Sequence, residues 1–203
     1  MNRVIFFVDG FNLYHSLNDN SNYNKYKWLD IAKLSQCFIT KKDQLEKILY
    51  FTSYTTWDLS KVARHKIYIR ALQAVGIKIV LGEFKPRDKT CRKCGQTYST
   101  FEEKRTDVNI AINLFQTAIN DLFDTAIIVS GDSDLIPAIE AVKTTFPAKQ
   151  IGVVIPIGRR AEALKNATDF HRKIREKHLA SCQFPDVIYL DGNQKLERPL
   201  SWR

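Results

Sequence analysis

The stretch IIVSGDSDLIPAIE, residues 127–140, runs a short apolar segment into Ser130-Gly131 and then sets two carboxylates, Asp132 and Asp134, two positions apart. A second apolar run near the start, RVIFFVDG, ends on Asp9, and Asp107 opens a long helix-patterned segment that precedes the strand leading to Asp132. Carboxylates gathered in one place raise some of their own pKa values, and a divalent cation relieves them by favouring full ionisation. With oxygen ligands and no convincing histidine pair, the expected cation is Mg²⁺ or Mn²⁺. Such ions hold a scissile phosphate, activate water and stabilise the departing oxygen. Asp9, Asp107, Asp132 and Asp134 are therefore the candidate metal ligands and catalytic residues of a phosphodiester hydrolase. Asn12 and Ser130 are placed to orient a water or a phosphate oxygen, and Lys104 and Arg105 to meet a backbone phosphate. Each acid also has a plainer role open to it: Asp9 in a turn, Asp132 and Asp107 as helix caps. His15 could lie near the same crevice, although a structural histidine is the more frequent case.

The elements that must position these residues follow from the apolar patterning. RVIFFVDG reads as a strand covered on both faces, as in a parallel sheet, and FNLYHSL as the start of a helix. KILYFTSY and IKIVLG are further strands, separated by a helix that Asp58 caps. Val108, Ala111, Ile112, Phe115, Ala118, Ile119 and Leu122 trace one face of a long helix. TAIIVSG, then DLIPAIEAVKTTF, then KQIGVVIPIG give strand, helix and strand. RRAEALKNATDFHRKI reads as a helix, DVIYLDG as a last strand and 191–203 as a peripheral tail after a domain spanning 1–190. The alternation argues for a three-layer α/β/α domain on a mostly parallel central sheet. Were the strand order 3-2-1-4-5, the strands ending at Asp9 and before Asp132 would flank the switch point where ligands collect.

The chain has 203 residues, 44% hydrophobic and 26% charged, which suits one ordinary globular domain. No uninterrupted apolar run is long enough to cross a bilayer, and the N-terminus lacks the pattern of a signal peptide, so no membrane and a cytoplasmic location are expected. Thirty-one Lys and Arg against 22 Asp and Glu give a formal +9, which makes nucleic acid the first partner to consider. Cys37 and Cys182 read as small buried hydrophobes. Cys91 and Cys94, in CRKCG within a basic, breaker-rich loop insertion at about 84–100, have the shape of one zinc knuckle, but a closed Zn²⁺ site needs four ligands. Arg92 and Lys93 beside them could grip RNA backbone, with Tyr98 and Phe101 near enough to stack bases. The basic run Arg172, Lys173, Arg175 and Lys177 reads as a solvated helix face.

Taken in order, VIFFVDGFNLYHSL, EEKRTDVNIAINLF, IIVSGDSDLIPAI and IGVVIP…LKNATDFHRKI resemble the successive motifs of NYN-domain proteins of the LabA-like group, within the PIN-like nuclease superfamily. The likeness spans roughly residues 3–175. It implies a PIN-like fold with strand order 3-2-1-4-5 and a divalent-metal-dependent ribonuclease acting on RNA, expected single-stranded, with homo-oligomers open. By motif, Asp9, Asp107, Asp132 and Asp134 match the family acids, Asn12 and Ser130 accompany them, and Asp169 falls where an Ala-Asp pair is common. The rival reading is a non-catalytic RNA-binding or regulatory module that keeps the acids for folding. A haloacid-dehalogenase phosphatase is disfavoured because position 11 is Phe, and a dinucleotide fold because no Gly-rich loop follows the first strand.

Overall fold

The computed structural model describes residues 1–190, 192 and 194–203; Asp191 and Asn193, which belong to the expected last strand and tail, lie outside the described residues. In chain order the strands are β1 (Asn2–Asp9), β2 (Asp43–Thr52), β3 (Lys78–Leu81), β4 (Glu83–Thr90), β5 (Thr97–Lys104), β6 (Thr125–Val129), β7 (Gln150–Ile155), β8 (Phe170–Lys173), β9 (Val187–Tyr189) and β10 (Lys195–Glu197). Six of them form one sheet of order β3-β2-β1-β6-β7-β8, with every neighbouring pair parallel. Its first five members reproduce the 3-2-1-4-5 order expected, and β8 adds an edge strand.

The central strands are apolar without interruption because both faces are covered. In β1, Val4, Phe6 and Val8 enter one core while Ile5 and Phe7 enter the other. The first core is roofed by α1 (Gly10–Asn18), α2 (Ile31–Gln36), α3 (Leu59–Ala74) and α7 (Glu176–Ser181); the second by α4 (Thr106–Ile119), α5 (Ile136–Thr145) and α6 (Glu162–Ala167). Pro137 sits in the first turn of α5, where its missing N–H leaves no bond unmade. No helix among the described residues is long and apolar enough to cross a membrane.

Three readings of the sequence change. The segment expected as one helix from Arg159 stops at Ala167, and Asp169 then splices the chain onto β7: its N–H donates to Ile151 O at 2.8 Å and its carboxylate accepts from Ile151 N at 2.7 Å. Phe170 follows as the register partner of Gly152, where any side chain would collide with its ring. The basic run Arg172–Lys177 is thus an edge strand and the start of α7, not one helix face. Residues 84–100 are not a loop but most of an antiparallel hairpin, β4 against β5, in register from Glu83↔Lys104 to Thr90↔Thr97. The C-terminal stretch does not hang free: β10 pairs with β9 outside the main sheet, and Trp202 packs 5.8 Å from Tyr68 and 6.4 Å from Trp28, ring centre to ring centre. Cys182 is buried but Cys37 is exposed, and their thiols lie 3.6 Å apart.

Candidate functional site

The strand order reverses direction between β1 and β6, the switch point beyond whose carboxyl ends open parallel sheets form their ligand crevice. Asp9 is the last residue of β1 and only 3% exposed. One of its carboxylate oxygens accepts from Asn12 N at 2.9 Å, capping α1; the other accepts from the Ser130 hydroxyl at 2.8 Å, just past the end of β6. Gly10 can follow directly because a Cβ there would stand 2.6 Å from Phe51 O. Ser130 Oγ in turn accepts from Asp132 N at 3.0 Å, and Asn12 Oδ1 accepts from Gly131 N at 2.9 Å. Asp132 caps the following turn by accepting from Asp134 N at 3.0 Å. Asp132 therefore takes the capping role foreseen for it, while Asp9, read from the sequence as a turn residue, is the N-cap of α1, and these bonds aim both carboxylates. Asp107 caps nothing: it stands in the first turn of α4, behind Arg105, which enters the helix with a left-handed φ of 77°.

Ser130 is fully buried, and its hydroxyl is the joint between the two strand ends. Ser130→Ala is expected to lower unfolding free energy by about 1–3 kcal/mol, because it strips a donor from a buried carboxylate and an acceptor from Asp132 N. Urea unfolding of the purified variant measures it, and an unchanged midpoint would contradict this account.

The structure adds a carboxylate that motif reasoning did not single out. Glu103, near the base of the hairpin, accepts from Ser53 Oγ at 3.1 Å and faces Asp107 and Asp9. Burial and, after it, those two negative neighbours push its pKa up to about 7. Asp9 is pushed up to about 6, by burial first, against the opposing help of Asn12 and Ser130, with Asp107 and Asp132 raising it further. Asp107 is raised by lost hydration and then by Asp132 and Asp134. Asp107 is thus the common neighbour of the set: its charge raises Asp9 and Glu103, and it is itself raised by Asp132 and Asp134. Among the described residues, no Lys or Arg forms an ion pair with any of them. A set of oxygen donors with surplus negative charge and, among the described residues, no ion-paired Lys or Arg fits a hard divalent ion in atom type and charge. It is not a preassembled cage: no three His, Cys, Asp or Glu side chains among the described residues already converge as ligands.

Other sequence candidates fall away from the crevice. Lys104 pairs with Glu102 at 3.1 Å and Arg105 with Glu83 at 3.0 Å, so both stand at the hairpin base already engaged. Cys91, Arg92, Lys93 and Cys94 form the turn at the opposite end, roughly 23 Å along the ribbon at about 3.3 Å per residue. There Cys91 holds a lowered pKa, because the N–H groups of Cys94 and Lys93 point at its sulfur, yet no third ligand among the described residues joins the pair. Asp169 lies at the N-terminal end of β7, opposite the crevice, with Lys143 at 2.7 Å. His15 is exposed on α1, 3.9 Å from Asp19. His65 is packed under α3, 3.2 Å from Thr52 Oγ1, and burial holds its pKa down at about 4.

Two concavities flank the acids. On one side Arg159, whose stem would meet a Cβ at Gly131 at 3.1 Å, begins an open basic groove of about 840 Å³ continued by Arg160, Lys165, Arg172, Lys173 and Arg175. The doublet Arg159-Arg160 at the end of a strand was the available signal for it. On the other side, between α1, α3 and the hairpin, lies a cavity of about 440 Å³ whose wall includes Gly10, next to Asp9, and Ser53, which binds Glu103.

The family model for the NYN domain matches residues 3–175. The 6-hydroxy-3-succinoylpyridine 3-monooxygenase HspA of Pseudomonas putida is 26% identical over an alignment covering 98% of this chain and 75% of that protein. A crystal structure of a protein of unknown function from Vibrio parahaemolyticus superposes with a TM-score of 0.56 at 19% identity, covering 86% of this chain and 94% of that one, a likeness of fold alone.

Proposed function

Because the chain belongs to the NYN-domain family, within the PIN-like nuclease superfamily, we propose that it is a divalent-metal-dependent ribonuclease that cuts single-stranded RNA internally. The observation that carries this reading is a group of acids, Asp9, Glu103, Asp107, Asp132 and Asp134, from separate parts of the chain, linked by mutual charge through Asp107 and with no Lys or Arg ion-paired to them among the described residues. Asp9, Asp107, Asp132 and Asp134 would hold Mg²⁺ or Mn²⁺. When bound, the ion supplies positive charge opposite the phosphate and makes a water acidic enough to attack it. The chain does the rest. The bonds from Asn12 and Ser130 fix Asp9 so that neither oxygen rotates away. Glu103, whose carboxyl pKa burial pushes up to about 7 in the metal-free protein, can take a proton at its carboxylate from the attacking water or return one to the departing oxygen. The groove starting at Arg159 draws the polyanionic strand across the acids.

The test compares wild type with Asp132→Asn on unstructured RNA in Mn²⁺. Loss of cleavage in the variant is expected, and equal cleavage by both would remove the crevice from the reaction. RNA binding that ignores EDTA, without any turnover, would favour the non-catalytic module instead. The aromatic walls of the 440 Å³ cavity favour one second reading, in which the acids serve oxygenation of a small ring as the Pseudomonas relative's name states. Oxygen uptake with 6-hydroxy-3-succinoylpyridine and a supplied two-electron donor such as a reduced nicotinamide, absent with RNA, would replace the ribonuclease reading.

A further inference from the structure

The 440 Å³ cavity is too small for folded RNA but falls within the roughly 300–1,000 Å³ of small-ligand sites. Its walls are largely aromatic and come from segments far apart in the chain. Trp57, just before α3, lies flat on Phe101 of β5, with centres 3.9 Å apart and planes 10° from parallel. Phe84 of β4 meets Trp57 edge-on at 4.9 Å and Phe11 of α1 at 5.4 Å. Trp57 nonetheless remains 44% exposed, so that part of this large ring is still open to solvent. Two polar groups stand among these rings: the Thr55 hydroxyl is buried with no hydrogen-bond partner among the described residues, and His65, 3.2 Å from Thr52 Oγ1, is kept neutral by burial. Lys27 and Arg64 also line the cavity, and neither forms an ion pair with a carboxylate among the described residues. Lys27 is bonded to Asn18 and lies over the Tyr14 ring, and Arg64 is bonded to Ser60. They are close enough that Arg64, after burial, lowers the pKa of Lys27. Two cations lining one cavity with a partly exposed aromatic ring suit a ligand with a flat ring at one end and an anion near it.

We propose that this cavity is a nucleotide subsite: a single unpaired base stacks on Trp57, with Thr55 and His65 reading its polar edge, and its phosphate lies between Lys27 and Arg64. The proposal deepens the ribonuclease reading and rests on it for the source of the nucleotide, a residue of the RNA strand adjoining the bond at the acids. The cavity and the crevice share a wall, since Gly10 follows Asp9 and Ser53 holds Glu103. A strand with one base seated here is therefore led directly past the carboxylates. A free mononucleotide has the same chemistry, so the two sources must be separated by experiment.

The experiment is done in EDTA, so that it reads binding without cleavage. Tryptophan fluorescence of the full chain is titrated with adenosine 5′-monophosphate, with an unstructured ribohexanucleotide, and with the same hexanucleotide carrying abasic residues; ribose 5-phosphate and free adenine serve as fragments. Saturable quenching is expected with the mononucleotide and the intact hexanucleotide, tightest for the latter, and much weaker binding with the abasic strand and both fragments. Trp57→Ala should weaken hexanucleotide binding roughly 5- to 100-fold, the range of one lost base stack, read by anisotropy of a labelled strand because the reporter ring is gone. Arg64→Gln, on the exposed rim, should weaken it while flattening its salt dependence. Equal affinity for intact and abasic strands, or unchanged affinity in both variants, overturns the proposal. A mononucleotide that binds more tightly than the strand overturns its RNA source. Failure here with Asp132-dependent cleavage intact would sink the subsite and spare the ribonuclease; the reverse result would sink the ribonuclease and leave a nucleotide-binding cavity.

Discussion

Asp9→Asn is expected to reduce metal-dependent RNA cleavage by at least about 10²-fold while leaving the fold intact. The loss follows from charge: a divalent ion contributes several kcal/mol to a phosphoryl transition state, and each 1.4 kcal/mol surrendered is about tenfold in rate. Asp9 is the buried carboxylate of the set, so no solvent-exposed neighbour can swing in to replace it. The substitution also suits the local bonding. An asparagine oxygen still accepts from Asn12 N, and its amide donates to the Ser130 hydroxyl, which can accept where it formerly donated. Single-turnover cleavage in Mn²⁺ with circular dichroism as the control measures this. A correctly folded variant within threefold of wild type would show that Asp9 serves only as a helix cap.

The same substitution should stabilise the metal-free protein, and do so as a function of pH. Asp9 has a folded pKa of about 6 against an ordinary 3.8, so its ionised form is penalised in the fold. The sign is opposite to that of a salt-bridged acid: no penalty exists below the ordinary value, the penalty grows as pH rises between the two, and it is complete above about 6. At about 1.4 kcal/mol per pH unit it reaches roughly 3 kcal/mol at neutral pH. His65 works against it in the wild-type profile, since its lowered folded pKa of about 4 costs stability as pH falls below its ordinary 6.5. Only the difference between wild type and Asp9→Asn isolates the aspartate. That difference should be near zero at pH 4, favour Asn increasingly through pH 6, and be level by pH 7.5 in urea melts with EDTA. Added Mn²⁺ should narrow it at pH 7.5, because the ion rewards the charge that the empty crevice penalises. A pH-independent difference would mean that the carboxyl is not held in a charge-averse setting.

The acids at the strand ends were legible because a parallel strand buried on both faces advertises itself as an unbroken apolar run, and the residue that ends it is the residue at the crevice. RVIFFVD and TAIIVSGD need no further pattern. The edge strand β8 was not legible, because Phe170–Lys173 is short, mostly exposed and rich in basic residues, and only its pairing with β7 makes it a strand. The hairpin was hidden for a related reason. Its stability comes from across the ribbon: Glu102 receives Arg87, Lys89 and Lys104, and a local reading sees only scattered charges around Pro86. Its closeness to the sheet is set by Gly82, where a Cβ would stand 2.6 Å from Ser53 Oγ and 2.7 Å from Lys104 O. With the hairpin read as a loop, Glu103 could not be told from Glu102, although one faces the acids and the other a cluster of cations.

Phe101 and Glu103 are two residues apart on β5, and successive side chains of a strand alternate between its faces. One face of one ribbon therefore delivers a ring to the cavity and a carboxylate to the acids, at a spacing the backbone cannot vary. A slip of a single residue in the β4–β5 pairing would withdraw both together and present Glu102 and Lys104 in their stead. The register of this ribbon acts as a gauge block, so gripping a ligand and working on it stand or fall as one property.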